Sequence, residues 1–150
     1  MQQLRLWTER NDEGSASLEF ITAGMLLLLP IVYLVLTLSV LQAGAFAVEG
    51  AARQAARVYV QSATTAEASA AAGRAVEFAL ADYGLDTSSV DVEVSCTAQP
   101  CLTRREFVTV EVTTTVTLPL VPPVLNLDVA MAIPISSTAT QQVSRFWGSR

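Results

Sequence analysis

Residues 20–48 run for 29 positions without one charged side chain, FITAGMLLLLPIVYLVLTLSVLQAGAFAV. No other feature constrains the fold as strongly. As a helix this run is about 43 Å long at roughly 1.5 Å per residue. The hydrocarbon core of a bilayer is roughly 30 Å thick and is crossed by about 20 apolar residues. The alternative, a buried core helix, would need far more apolar mass around it than a chain of 150 residues supplies. A transmembrane helix is therefore expected over residues 15–48. Pro30 lies inside it and removes one backbone donor, a potential kink. Arg5 and Arg10 precede the run and Arg53 and Arg57 follow it, so charge counting leaves the orientation tied.

Composition narrows the chemistry. Charged residues make up only 15% of the chain and hydrophobic residues 51%, against roughly 25% charged in an ordinary soluble domain. The net charge is −5 and there is no histidine. All nine basic residues are arginine. A nucleic-acid partner is not expected, because such binding needs clustered positive charge to release counterions. Without His, the Ser–His–Asp and Cys–His arrangements and His-ligated metals are excluded. Without Lys there is no Schiff base or phosphate-loop lysine. No nucleophile paired with a base, glycine-rich phosphate loop or metal cluster is found, so the expectation is a non-enzyme with no cofactor and no metal.

The junction before the apolar run carries the sharpest signal. Gly14-Ser15-Ala16-Ser17-Leu18-Glu19-Phe20 closes a polar leader and opens the hydrophobic stretch with one carboxylate followed by an aromatic. A carboxylate at the centre of a membrane helix costs about 2.5–3.5 kcal/mol on insertion scales, and less near its edge. Glu19 thus calls for a partner. If the chain were cut after Gly14, the new amino group of Ser15 would lie about one helical turn away and supply it.

This segment resembles the processing site of type IV prepilins, which a membrane aspartyl peptidase cuts after the Gly. Together with Arg53-Gln54-Ala55-Ala56-Arg57 after the span, it is similar to the TadE-like (TadE/TadF) minor pilins or pseudopilins of the tight-adherence (Flp) pilus. The resemblance covers residues 11–60 closely and residues 84–150 only in architecture. It implies a leader at 1–14, cleavage between Gly14 and Ser15, and a role for Glu19, with Phe20 beside it, in charge pairing during assembly. It also implies a cell-membrane (inner-membrane) location with a cytoplasmic N-terminus and an extracytoplasmic head. The implied partners are membrane lipid, the prepilin peptidase, other pilin or pseudopilin subunits and the pilus assembly platform. The implied function is pilus assembly and surface adhesion. Two other readings of the segment stand beside this one. The run could be an uncleaved anchor for an exported head that binds a ligand or partner. Alternatively, Ala45-Phe46-Ala47 could be a signal-peptidase site, although a secretory apolar region is only about 7–15 residues long and gives no reason for Glu19.

Beyond the membrane, residues 49–83 hold 13 alanines in 35 positions, and alanine is the best helix former. A helical stalk is expected there. Glu49 and Arg53 form an i,i+4 acid–base pair in the favourable order. Thr64-Thr65-Ala66-Glu67 reads as a capping box, which breaks the helix near Ser62 and starts a second. Gly84 suits its stop. Val76, Ala79, Leu80 and Tyr83 form an apolar stripe at helical spacing, expected to cover the chain's own sheet. Ser39, Ala43 and Ala47 also make a small-xxx-small pattern that permits close helix approach.

Residues 84–150 change to a period of two and are expected to form a small β-rich head. Val90, Val92, Val94 and Cys96 alternate with polar residues, as do Val108, Val110, Val112, Val116 and Leu118. A third run over residues 129–135 contains Pro134, a sign of an edge strand. The fold class expected is α+β, a long N-terminal membrane helix continuing into an Ala-rich helix, then a three-stranded antiparallel sheet. Cys96 and Cys101, with four residues between them, lie between the first two strands. Two cysteines alone cannot build a structural zinc site, and the spacing is not Cys-x-x-Cys. A disulfide pinning the hairpin loop is expected, contributing about 2 kcal/mol on the loop-entropy account. Asp91, Glu93, Glu106 and Glu111 could hold a cation or act as an acid–base pair, but a solvated, edge-protecting face accounts for them better.

Overall fold

The computed structural model describes residues 5–120 and 132–148, with side chains from residue 16 onward. The element order is α1 (Arg5–Gln61), α2 (Thr65–Ala81), β1 (Asp91–Cys96), β2 (Phe107–Thr117) and β3 (Ala132–Gln142). The chain is α+β, as its change of period anticipates. It divides into two compact units, Met1–Leu38 and Ser39–Arg150.

In the first unit α1 carries the apolar run. Leu18, Phe20, Ile21, Met25, Leu26 to Leu29 and Leu34 to Leu36 are all exposed. Residues 16–38 alone give 23 positions, about 35 Å of helix at roughly 1.5 Å each, still enough to cross a hydrocarbon core. The helix continues through Pro30. Across residues 16–61 it is long and apolar enough to cross a membrane, by length and composition.

The second unit opens with the remainder of α1, and here the environment of the helix changes. Gly44, Ala47, Val48, Ala51, Ala52, Ala55, Ala56 and Tyr59 are buried. Most of them share one core with Ala68, Ala72, Val76 and Leu80 of α2 and with Val108, Val110 and Val112 of β2. The alanine-rich stretch expected as a stalk therefore contributes to the same core as the strands. The last residues of the apolar run also belong to this unit. Ala47, the last residue of the small-xxx-small pattern, is 1% exposed in the chain's own core.

Local chemistry explains the boundaries. Ser62 N–H donates to the Tyr59 carbonyl and its hydroxyl to the Val58 carbonyl, closing α1. Thr64 adopts extended backbone (φ −132°, ψ 157°) and its hydroxyl accepts from Glu67 N–H at 3.2 Å. That is the cap expected from the sequence. At the other end of α2, Leu85 N–H donates to the Leu80 carbonyl and Gly84 N–H to the Ala81 carbonyl. This pairing needs a left-handed residue at the turn, and Gly84 supplies it with φ +68°. Leu85 then packs back on the core. In the following turn, the backbone and hydroxyl of Ser88 donate to Asp86, which holds the Asp86 carboxyl below its ordinary value.

The sheet has the order β1-β2-β3 and is antiparallel throughout. β2 is central and alternates strictly, burying Val108, Val110, Val112, Thr114 and Val116. Leu118, expected on this buried face, is only partly covered. Pro134 stands in β3, an edge strand of the sheet, the kind of position to which proline is confined. Of the third run expected from the sequence, residues 129–131 lie outside the described residues. β3 instead extends seven residues further, to Gln142, which pairs with Phe107.

Candidate functional site

The α1 backbone passes through Gly14 and Ser15 as continuous helix, and the side chains of both lie outside the described residues. Glu19 is one turn beyond Ser15 and exposed, as is Phe20 at 78%. On an α-helix, positions four apart share a face, so the carboxylate of Glu19 and the Ser15 backbone lie along one stripe. Leu18, Glu19, Thr22, Ala23 and Leu26 outline a shallow depression there. The Thr22 hydroxyl is used internally, donating to the Leu18 carbonyl at 2.7 Å. Glu19 makes no hydrogen bond or ion pair with any described residue. Glu19 thus stands as a carboxylate at the start of the apolar run of α1, and the next charge toward the C-terminus is Glu49.

Glu49 and Arg53 form the expected i,i+4 ion pair. Arg57, the third member of that polar face, is exposed. Of the stripe expected on α2, Val76 and Leu80 are in the core, Ala79 packs against it, and Tyr83 stays 51% exposed.

Cys96 and Cys101 form a disulfide with a Cα–Cα distance of 5.3 Å. Cys96 ends β1, and Thr97 clamps the same hairpin. Its N–H donates to the Phe107 carbonyl, and its hydroxyl accepts from Phe107 N–H at 2.9 Å. Leu102, within the turn, is fully buried and plugs this end of the core.

Two of the four carboxylates meet across the ladder, and the other two do not join them. Glu93 lies directly opposite Glu111, while Asp91 lies opposite Thr113. Glu106 precedes β2 and accepts the Thr97 hydroxyl at 2.7 Å. Among the described residues no group of three acidic, cysteine or histidine side chains could hold a metal ion. Like charges face to face across a ladder oppose pairing, which favours a solvated face.

One grouping was not visible in the sequence. Arg104 and Arg105, in the β1–β2 loop, and Arg145 and Phe146, after β3, line one concavity. Its parts are some 40 residues apart in the chain, so no local motif signals it.

Fold and surface together define a protein with, among the described residues, one helix long and apolar enough to cross a membrane, and a disulfide-pinned α+β head. No family model, no curated protein and no solved structure matches this chain.

Proposed function

We propose that this protein is a prepilin-like assembly subunit of a tight-adherence pilus. It is processed between Gly14 and Ser15 and acts non-covalently, by helix packing and by charge pairing at Glu19. The observation that carries this reading is Glu19 itself, an exposed carboxylate without a partner among the described residues, at the start of the apolar run of α1. A charge so placed is costly to an isolated helix in lipid. A free amine at Ser15, within the chain or on a neighbouring helix, relieves that cost.

The core of the second unit also weighs against the signal-peptide alternative. Cleavage after Ala47 would remove Gly44 and Ala47, both buried against the head. An anchor that stays attached keeps that core whole. The head then lies outside the cell, where the Cys96–Cys101 bridge is chemically suited to persist.

The test is Glu19→Gln, which keeps size and hydrogen bonding but removes the charge. The variant should insert, be cut after Gly14 and accumulate as wild type does, yet support few or no surface pili. Normal piliation at wild-type abundance would remove the assembly role.

A further inference from the structure

The two ends of the sheet differ in charge. Arg104, Arg105, Glu106 and Arg145 stand at the end where Phe107 pairs with Gln142. Residues 112–120 and 132–144 carry no charge, and they run to the other end, where Thr117 pairs with Ala132. The nearest charge on the sheet is there Asp91, opposite Thr113. It lies four positions short of Thr117, about 13 Å at roughly 3.3 Å per residue.

Within the second unit, contacts at both ends fix which one accompanies the apolar run. Arg104 Nε donates to the Trp147 carbonyl at 2.7 Å, and Trp147 Nε1 donates to the Ser62 carbonyl at 2.9 Å. The charged end therefore lies by the last turn of α1. A carbon built on Gly44 would meet Val116 and Ile135, so the uncharged end lies by the apolar run. Thr117 to Leu120 continue past Gly44 toward Ser39, where the second unit begins. Leu120 is 73% exposed and has φ +63°, a backbone conformation that bulky side chains rarely adopt. Phe46, on α1 near the same end, is 63% exposed. A single exposed apolar residue needs no explanation. A leucine turned outward at a backbone cost, on an end without charge, points to a contact.

We propose that this end of the head is a lipid-contact surface, seated in the interfacial layer of the bilayer that α1 crosses. Length carries the argument. Residues 20–38 are 19 positions, about 28 Å of helix at roughly 1.5 Å per residue. That falls just short of a hydrocarbon core of roughly 30 Å. Glu19 limits the run on its other side, since a carboxylate costs least at the membrane edge. Ser39, Val40 and Leu41 therefore complete the crossing, and they belong to the second unit. Leu38 and Ser39 are bonded, so this holds whatever direction the first unit takes. Thr117 to Leu120, which run past Gly44 toward those residues, then stand where hydrocarbon meets headgroups. A surface at that depth is best without charge and with apolar side chains outward, as this one is. The inference rests on the reading of α1 as a membrane anchor, and it adds a second lipid contact made by the head itself.

The experiment uses the full chain in phosphatidylcholine nanodiscs, with the Cys96–Cys101 bridge left oxidised. It needs neither processing nor pili. Leu120→Cys, Gln141→Cys and Leu28→Cys each carry one environment-sensitive fluorophore. Two quenchers are compared, a lipid with a nitroxide high on its acyl chain and iodide in the water. Gln141 is exposed and nine positions from Ala132, about 30 Å along the strand at roughly 3.3 Å per residue. The label at 120 should be quenched several-fold more by the nitroxide lipid than the label at 141, and several-fold less by iodide. With the label moved to Thr117→Cys, adding Leu120→Glu should lower quenching by the lipid and raise quenching by iodide. Near-UV circular dichroism checks that each variant is folded. Leu28→Cys separates two failures. If it is shielded from iodide while the label at 120 behaves as that at 141 does, the lipid seat is overturned and the membrane span stands. If iodide reaches Leu28→Cys, the span fails and the seat with it. Quenching at Thr117→Cys that ignores Leu120→Glu would equally overturn the seat.

Discussion

A methyl group added at Gly44 tests how closely α1 approaches the sheet. An alanine Cβ there would lie 2.7 Å from Val116 Cγ2 and 2.9 Å from Ile135 Cδ1, where unstrained carbon contacts need about 3.5–4.0 Å. The Ile135 methyl is the end of a flexible chain and can turn aside. Val116 cannot, because it is β-branched, fully buried and on the central strand. Overpacking of this kind costs about 1–3 kcal/mol. Against it stands the helix propensity of Ala over Gly, about 1 kcal/mol in favour. Gly44→Ala should therefore destabilise the head by about 0–2 kcal/mol. Gly50 is in the same helix with nothing within 4 Å of the added carbon. Gly50→Ala should stabilise by about 1 kcal/mol, from propensity alone. The gap between the two variants is the decisive quantity, about 1–3 kcal/mol, or several degrees in the midpoint of a domain this size. Thermal loss of the near-UV circular dichroism signal in detergent measures it. Val116→Ala should also be milder in the Gly44→Ala background than alone, since the two sites share one contact. Equal midpoints for Gly44→Ala and Gly50→Ala would refute the close approach.

Two further expectations follow from single residues. Thr114 is 1% exposed, and its hydroxyl has no partner among the described residues. Thr114→Val, which keeps the shape and removes an unmet polar group, should raise stability by about 1 kcal/mol in the same melt. Thiol labelling of the denatured, unreduced protein should find Cys96 and Cys101 both protected, and labelling of the pair would end the disulfide assignment.

The sequence made the strands and their faces legible where apolar and polar residues alternate, as in β2. It failed at the second half of β3. Ser136, Ser137, Thr138, Thr140, Gln141 and Gln142 are polar on both faces, so no alternation marks them. They are strand because β2 offers a full-length partner, with Phe107 opposite Gln142. The buried alanines of α1 were hidden for a different reason. Alanine scores as a helix former whether it faces water or a core, so residues 51–56 read equally well as an exposed stalk. Their small size is what admits the helix to the shared core. Tyr83 kept the helical spacing of its stripe but falls past Ala81, where α2 ends and the chain turns at Gly84. Of the candidate sites, the cysteine pair was legible because its ends are five residues apart. The arginine concavity was not, because only folding brings Arg145 to Arg104 and Arg105.

The central claim is that the mature chain begins with a cationic amine one turn before Glu19. Mass spectrometry of the N-terminus answers it most directly, on protein recovered from membranes of a cell with active prepilin peptidase. The account predicts a chain beginning at Ser15 and lacking residues 1–14, and a Gly14→Ala variant that keeps its leader. A mature chain beginning at Met1, or at Val48, would contradict it.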